Sequence, residues 1–156
     1  DSGCPNMKVL QFAVDPADVG GANDYWPHNY NSNCVVYTGT HDNETLAGWY
    51  RGLSKAAKQQ IRDYLWDYHT PDNQMYKVLI ALTMRSVAKD CIIPVQDYLG
   101  LGNEARMNQP GTVGANWRWR LVPGQVTDDL AAEMLALVKR TGRANWDAIE
   151  KKPRKA

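Results

Sequence analysis

A short apolar run, residues 34–38, leads into a polar cluster formed by His41, Asp42 and Asn43. Runs of this length that are apolar at successive positions are typical of strands buried on both faces, as in parallel sheets. Enzymes built on parallel strands gather their catalytic groups just beyond the carboxyl ends of those strands. The pattern therefore predicts an α/β enzyme, and Asp42, the carboxylate of the polar cluster, is the chief catalytic candidate.

Two more runs have the same apolar character. Residues 7–14 lie between two prolines and predict a buried strand, and residues 91–95 predict a third. Pro94 has no N–H to donate to a sheet ladder, so the third strand is expected at an edge or where the sheet closes. Nearly all-apolar strands predict a parallel sheet covered by helices.

Helices are predicted between and after these strands. Ser54 and Asn73 can each cap a helix, because apolar residues recur after them at spacings of three and four. Thr127 is a third candidate cap, followed by acidic residues that suit a helix N-terminus. Residues 15–33 and 96–124 are rich in turn-forming residues and are predicted loops. The predicted order is strand, loop, strand, two helices, strand, loop, helix.

Composition limits the classes of partner. Lys and Arg number 18 against 17 Asp and Glu, so no strong positive field favours nucleic acid or an anionic membrane. No run approaches the roughly 18 apolar residues of a membrane span. Three scattered cysteines indicate neither a disulfide framework nor zinc, and they fit a reduced, cytoplasmic compartment. Cys34 is expected to pack inside the sheet as a small hydrophobe.

Five ordered motifs carry a resemblance to a known family. They are Met-Lys-Val-Leu-Gln-Phe-Ala at 7–13, Pro-His-Asn-Tyr at 27–30, Tyr-Thr-Gly-Thr-His-Asp-Asn at 37–43, Pro-Val-Gln-Asp with Leu-Gly-Leu-Gly at 94–102, and Ala-Arg-Met-Asn with Pro-Gly-Thr and Asn-Trp at 105–117. Together they resemble the C-terminal third of the amylomaltases, the 4-α-glucanotransferases of glycoside hydrolase family 77.

The resemblance implies a retaining enzyme that cleaves an α-1,4-glucan, holds the glycosyl group covalently and passes it to another sugar. The implied fold is a (β/α)8 TIM barrel, with residues 1–150 as its C-terminal portion of about three strands and residues 151–156 as a basic, frayed tail. The family's nucleophilic Asp and acid/base Glu precede this portion, so the chain alone is expected to be inactive. The implied partners are malto-oligosaccharides and the remainder of the barrel upstream; no cofactor or metal is implied.

The resemblance also implies roles for particular residues. Asp42 would grip two ring hydroxyls of the sugar as an oxocarbenium-like transition state forms, a contact suited to an ionised carboxylate. His41 would donate to the same sugar. The remaining residues expected to bind substrate are Asn43, Asn108, His28, Tyr30 and Gln96.

Other interpretations of these residues stay open from sequence alone. Asp42 also suits the N-cap of a helix that begins just after it. Arg106 either supports its own loop or pairs with Glu104. Three aromatic side chains of the first loop either stack on sugar rings or pin the loop to the barrel; they are Tyr25, Trp26 and Tyr30.

Other classes of function are weighed on the same residues. The spacing of His41, Asp42 and Glu44 is poor for a metal. Residues 100–105 loosely fit a dinucleotide fingerprint but lack the helix that should open there. Residues 116–120 interleave Trp and Arg, without the wider basic field that single-stranded nucleic acid needs. A non-catalytic glucan-binding module derived from such a barrel is the alternative to an enzyme.

Overall fold

Three short parallel strands form the centre of the computed structural model, which describes residues 3–18 and 20–150. β1 is Asn6–Val9, β2 is Cys34–Tyr37 and β3 is Asp90–Ile92. β2 lies between the other two and pairs in parallel with both. The prediction of a parallel sheet is confirmed, and β3 lies at an edge of the described sheet.

Helices fill the connection between β2 and β3 and much of the chain after β3. The segment between β2 and β3 holds α1 (Leu46–Gly52), α2 (Lys55–Leu65) and α3 (Met75–Arg85), and the segment after β3 holds α4 (Val95–Tyr98), α5 (Asp128–Arg140) and α6 (Trp146–Glu150). Single 3-10 turns lie at Leu10–Ala13, Pro27–Asn29, Asp72–Gln74 and Asn103–Ala105. α1 was expected only in the alternative in which Asp42 caps a helix, and α4 and α6 were not predicted.

Two of the three predicted helix caps are confirmed. Ser54 and Thr127 each accept a hydrogen bond from the backbone N–H three residues later, at 3.2 and 3.1 Å. The prediction for Asn73 is wrong, because Asp72–Gln74 forms a 3-10 turn that runs directly into α3. Gln74 then takes the N-cap position and makes no side-chain capping bond.

The first strand is shorter than residues 7–14. β1 ends at Val9, and the chain turns through Leu10–Ala13 instead of continuing the ladder. The Gln11 N–H donates to the Thr38 carbonyl at 3.2 Å, which draws the turn under the end of β2. An apolar run by itself does not distinguish a strand from a buried turn.

The third strand is also shorter than residues 91–95. β3 ends at Ile92, and Pro94 becomes the residue that precedes α4, with its carbonyl accepting from Asp97 N at 3.0 Å. The fixed φ of proline is compatible with a helix start, whereas its missing N–H is a defect in a ladder. The predicted loop 96–124 therefore begins inside a helical turn.

The core under the sheet is built around β2. Cys34 and Val36 are fully buried and pack with Tyr30 and Ala88, so the prediction that Cys34 packs inside the sheet is confirmed.

The chain separates into two compact units, Asp1–Leu121 and Val122–Ala156. The first unit holds the sheet, the polar cluster and α1 to α4; the second holds α5 and α6.

Two predictions are not decided by this fold. The expected basic tail at residues 151–156 lies outside the described residues. The assignment of residues 1–150 to one domain stays a prediction.

In the described part of the chain, no helix is long and apolar enough to cross a membrane.

Candidate active site

The turn after β2 presents the polar cluster. Asn43 Oδ1 accepts from both the N–H and the hydroxyl of Thr40, each at 2.8 Å, and Asn43 N donates to the Thr40 carbonyl at 3.1 Å. These bonds turn the Asn43 side chain back into the loop and leave His41 and Asp42 exposed. Asn43 therefore shapes the turn that carries the other two residues of the polar cluster.

Gly39 is required by a close approach at the start of this turn. A Cβ at Gly39 would lie 2.7 Å from the Gln11 amide nitrogen, which donates to the Glu44 carbonyl at 2.9 Å. Gln11 is 7% exposed and fixes the far side of the turn from beneath. Sequence reasoning assigned Gln11 no role, because a lone glutamine in an apolar run has no local signal.

Asp42 is the centre of the polar contacts at the surface. Its Oδ1 accepts a 2.6 Å hydrogen bond from Asn108 Nδ2 and lies 3.3 Å from His41 Nε2. The Asn108 N–H donates to the His41 carbonyl at 3.0 Å, which anchors the two segments to each other. The Asp42 side chain is 48% exposed, so the carboxylate is held in place and still open to a ligand.

Arg106 ties the same two segments together. Its Nη2 donates to the Asp42 carbonyl at 2.6 Å and its Nε to the Asn108 carbonyl at 2.9 Å. Glu104 instead accepts from the Gly102 N–H at 2.8 Å. The sequence left open whether Arg106 supports its own loop or pairs with Glu104, and the structure shows that it supports the loop.

Asp97 is a buried carboxylate that holds the frame of the site. It is 2% exposed and accepts from the Thr38 hydroxyl at 2.6 Å and from Leu46 N at 2.8 Å. It thereby joins the end of β2, the start of α1 and the turn of α4. Burial raises the pKa of Asp97 above its ordinary value, against the lowering effect of these two hydrogen bonds. Sequence reasoning gave Asp97 no role, although it follows the third strand much as Asp42 follows the second.

The helix that follows the polar cluster is capped by Thr45. Its hydroxyl accepts from Gly48 N at 3.2 Å, and the backbone of Thr45 has the extended conformation of an N-cap. The alternative in which Asp42 caps this helix is therefore wrong. The Asp42 carboxylate does not cap α1, and it contacts Asn108 and His41 instead.

Three of the other expected binding residues have polar groups engaged within the protein, and Gln96 among them lines the smaller cavity beside His41. Gln96 is 9% exposed and donates to the Ala105 carbonyl at 3.3 Å. Tyr30 is buried in the core, its hydroxyl donates to the Tyr25 carbonyl at 2.6 Å, and burial raises its pKa. His28 is exposed, but its two ring nitrogens lie 3.1 Å from the hydroxyl of Tyr64 and 2.7 Å from the carbonyl of Gly21.

One tryptophan packs the first loop against a helix, and another lies in the site. Trp26 is 2% exposed and stacks on Tyr64 with 4.1 Å between ring centroids, which pins the first loop to α2. Trp117 is half exposed and packs on the imidazole of His41, with 5.1 Å between centroids. Trp117 is a further residue of the site that sequence reasoning did not assign.

Two depressions flank the polar cluster. An open cleft of about 580 Å³ is lined by the polar cluster and by apolar side chains that include Met7, Phe12 and Ile92. A smaller cavity of about 140 Å³ is lined by His41, Gln96, Arg106 and their neighbours. A fixed carboxylate beside an amide and an imidazole can accept hydrogen bonds from adjacent hydroxyl groups of a sugar. Within residues 3–18 and 20–150, no group of three His, Cys, Asp or Glu is placed to hold a metal ion.

Comparison with known proteins gives consistent matches. A family profile described as 4-alpha-glucanotransferase matches residues 1–126. The chain is 45% identical over 146 residues to a 4-alpha-glucanotransferase of Thermus thermophilus, which covers 90% of this chain and 29% of that protein. It is 43% identical over 129 residues to a chloroplastic/amyloplastic 4-alpha-glucanotransferase of Solanum tuberosum, covering 83% of this chain and 22% of that protein.

A solved structure extends the match to the fold. The amylomaltase from Streptococcus agalactiae in complex with acarbose superposes with a TM-score of 0.85 and 31% sequence identity, over 92% of this chain and 28% of that chain. The chain thus spans less than a third of the length of each of these proteins.

Proposed function

Since the chain belongs to the 4-alpha-glucanotransferase family, we propose that it supplies the C-terminal part of a (β/α)8 barrel that transfers α-1,4-glucan segments between malto-oligosaccharides. The three parallel strands in chain order support this placement, because a barrel closes by pairing successive parallel strands. Both outer strands of the described sheet have an edge to which further strands can pair. The barrel with this chain as its last part is called the complete enzyme below.

The observation that carries the proposal is the setting of Asp42. It lies just beyond the carboxyl end of β2, half exposed, with its Oδ1 fixed at 2.6 Å from Asn108 Nδ2. Glycosyl transfer passes through an oxocarbenium-like transition state, and hydrogen bonds to the 2-hydroxyl strengthen as that state forms. A fixed, ionised carboxylate that accepts from sugar hydroxyls stabilises the transition state more than the ground state.

The residues around Asp42 have two kinds of role, contact with the sugar and positioning of the groups that contact it. In this proposal His41 and Asn108 contact the same sugar, and Asn43 acts mainly through the turn that presents them. His28 and Tyr30 serve the first loop, because their polar groups are engaged there. Gln96 lines the smaller cavity beside His41, where its amide nitrogen donates to the Ala105 carbonyl. Arg106 acts on backbone carbonyls and sets the position of Asp42 relative to Asn108.

Other parts of the proposal rest on the family. The nucleophilic Asp and the acid/base Glu are proposed to come from the upstream part of the barrel, which is therefore the protein partner of this chain. Malto-oligosaccharides are proposed as substrates, and the acarbose bound to the Streptococcus agalactiae amylomaltase supports an oligosaccharide ligand. A cytoplasmic location is also proposed, because the three scattered cysteines fit a reduced compartment.

A chimera tests the proposal. This chain replaces the matching segment of the Thermus thermophilus relative, and transfer of glucose units from maltotriose is measured for the chimera and for the isolated chain. We expect transfer by the chimera, none by the isolated chain, and loss of transfer in the chimera that carries Asp42→Asn. Circular dichroism checks that both chimeras fold.

Two outcomes would contradict this proposal. Robust disproportionation by the isolated, mass-verified chain would show that nucleophile and general acid lie within it. A folded chimera that binds malto-oligosaccharides without transferring them would favour the non-catalytic glucan-binding module.

A further inference from the structure

Two tryptophans have a backbone conformation that bulky residues rarely adopt. Among residues 3–18 and 20–150, Trp66 and Trp117 are the residues other than glycine with positive φ, at 55° and 63°. Trp66 is the C-cap of α2, a position where the left-handed conformation is common, and its N–H bonds to carbonyls of the last helical turn. Trp117 follows no helix, so its conformation needs another cause.

The loop around Trp117 holds it in this conformation from both sides. Its N–H donates to the Met107 carbonyl at 2.6 Å, and its own carbonyl accepts from Arg120 Nη1 at 2.8 Å. The preceding residue, Asn116, accepts from Gln109 N at 2.9 Å. A strained backbone conformation persists only where surrounding contacts impose it, and such residues concentrate at functional sites.

The enforced conformation directs the indole onto His41. The ring centroids are 5.1 Å apart at an angle of 39°, and Trp117 stays 51% exposed. The His41 side chain is itself 58% exposed, and its Nε2 lies 3.3 Å from Asp42 Oδ1. An exposed imidazole without such a neighbour samples several rotamers, whereas packing on the indole restricts the ring to the orientation that faces Asp42.

We propose that Trp117 is a positioning residue for glucosyl transfer, which keeps the His41 imidazole beside the Asp42 carboxylate. The inference rests on the proposed function, since it assigns Trp117 to the same site. Removing the indole should leave sugar binding nearly intact and lower the rate of the chemical step, because a small misplacement of a catalytic group weakens contacts made in the transition state.

The test uses the complete enzyme with substitutions at both tryptophans. For Trp117→Leu and Trp117→Gly we expect kcat to fall about tenfold or more with KM within about threefold, and for Trp117→Phe we expect most of kcat to be retained. Trp117→Gly also removes the backbone strain that Trp117→Leu retains, so its Tm should be no lower than that of Trp117→Leu. Trp66→Gly is the matched control: it makes the same change at a positive-φ tryptophan outside the site, and kcat should not change.

A spectroscopic readout follows the contact itself. With 13C-labelled histidine, Trp117→Leu should shift the ring signals of His41, which lies against the indole, and leave those of His28 and His69 in place. Wild-type kcat in Trp117→Leu, or an equal loss in Trp66→Gly, would overturn the inference. If Trp117→Leu does not fold, the kcat of Trp117→Gly decides.

Failure of the inference is distinguishable from failure of the proposed function. If Asp42→Asn abolishes transfer and the Trp117 variants do not alter it, the inference alone is wrong. If Asp42→Asn itself turns over normally, the proposed function is wrong and the positioning role of Trp117 falls with it.

Discussion

Asn in place of Asp42 removes one charge and changes little else in the structure. The amide oxygen can still accept from Asn108 Nδ2, and α1 keeps its cap because Thr45 supplies it. The side chain is about half exposed, so we expect the free energy of unfolding to change by no more than about 1 kcal/mol. Hydrogen bonds that strengthen in the transition state contribute several kcal/mol, and a loss of about 4 kcal/mol is roughly a thousandfold in rate.

Single-turnover kinetics of the complete enzyme measure this effect directly. The rate of glycosyl transfer from maltotriose is compared with the thermal midpoint of the same preparation. Thr45→Ala is the matched control, because it removes the cap of the same helix and should cost about 1 kcal/mol of stability with a much smaller effect on turnover. We expect the two variants to show opposite profiles: low activity with normal stability for Asp42→Asn, and lower stability with substantial activity for Thr45→Ala.

A near-normal single-turnover rate in Asp42→Asn would refute the reasoning, whatever happened to the thermal midpoint. A large loss of stability in that variant would also count against it, since the structure assigns the cap of α1 to Thr45. A fall in substrate affinity that accounts for the whole loss of kcat/KM would show that Asp42 binds ground state and transition state equally.

Three further predictions follow from the same contacts. Arg106→Lys should lower the single-turnover rate about tenfold, since an ammonium group cannot reproduce the fork that reaches the carbonyls of both Asp42 and Asn108; an unchanged rate would remove Arg106 from the site. Burial raises the pKa of Asp97, so the folded state keeps its proton above about pH 4, where the unfolded state loses it. The contribution of Asp97 to the free energy of unfolding should therefore fall as pH rises from about 4 towards its folded-state pKa, and denaturant titrations of Asp97→Asn should lack this contribution to the slope. The isolated chain should associate in dilute solution because apolar side chains of the open cleft are exposed, and a monodisperse monomer by light scattering would contradict the partial barrel.

Features that depend on neighbouring residues could be read from the sequence. Ser54 and Thr127 cap their helices as predicted, since a cap is a bond between a side chain and a backbone N–H three residues away. The apolar run at 34–38 contains β2, which ends one residue earlier at Tyr37, and the polar cluster follows its end as expected. Buried strands of a parallel sheet need apolar side chains on both faces, so this pattern is local and strong.

Local patterns were ambiguous where two structures suit the same residues. An apolar run that continues past Val9 is compatible with a strand and with the 3-10 turn that the structure contains. Asp42 and Thr45 are both good capping residues, and the structure selects Thr45. The choice depends on where the preceding turn directs each side chain, which a list of propensities does not contain.

The composition of the site was decided only by tertiary structure. Asn108 reaches Asp42 across 66 positions of the chain, and Asp97 reaches Thr38 and Leu46 across 59 and 51. Tyr30, a plausible sugar-binding residue in its loop, is instead buried, because its ring fills the core beneath β2. Such contacts follow no period along the sequence; they form because folding brings the ends of two strands and the loops after them to one edge of the sheet, where burial and hydrogen-bond satisfaction determine which side chains remain exposed.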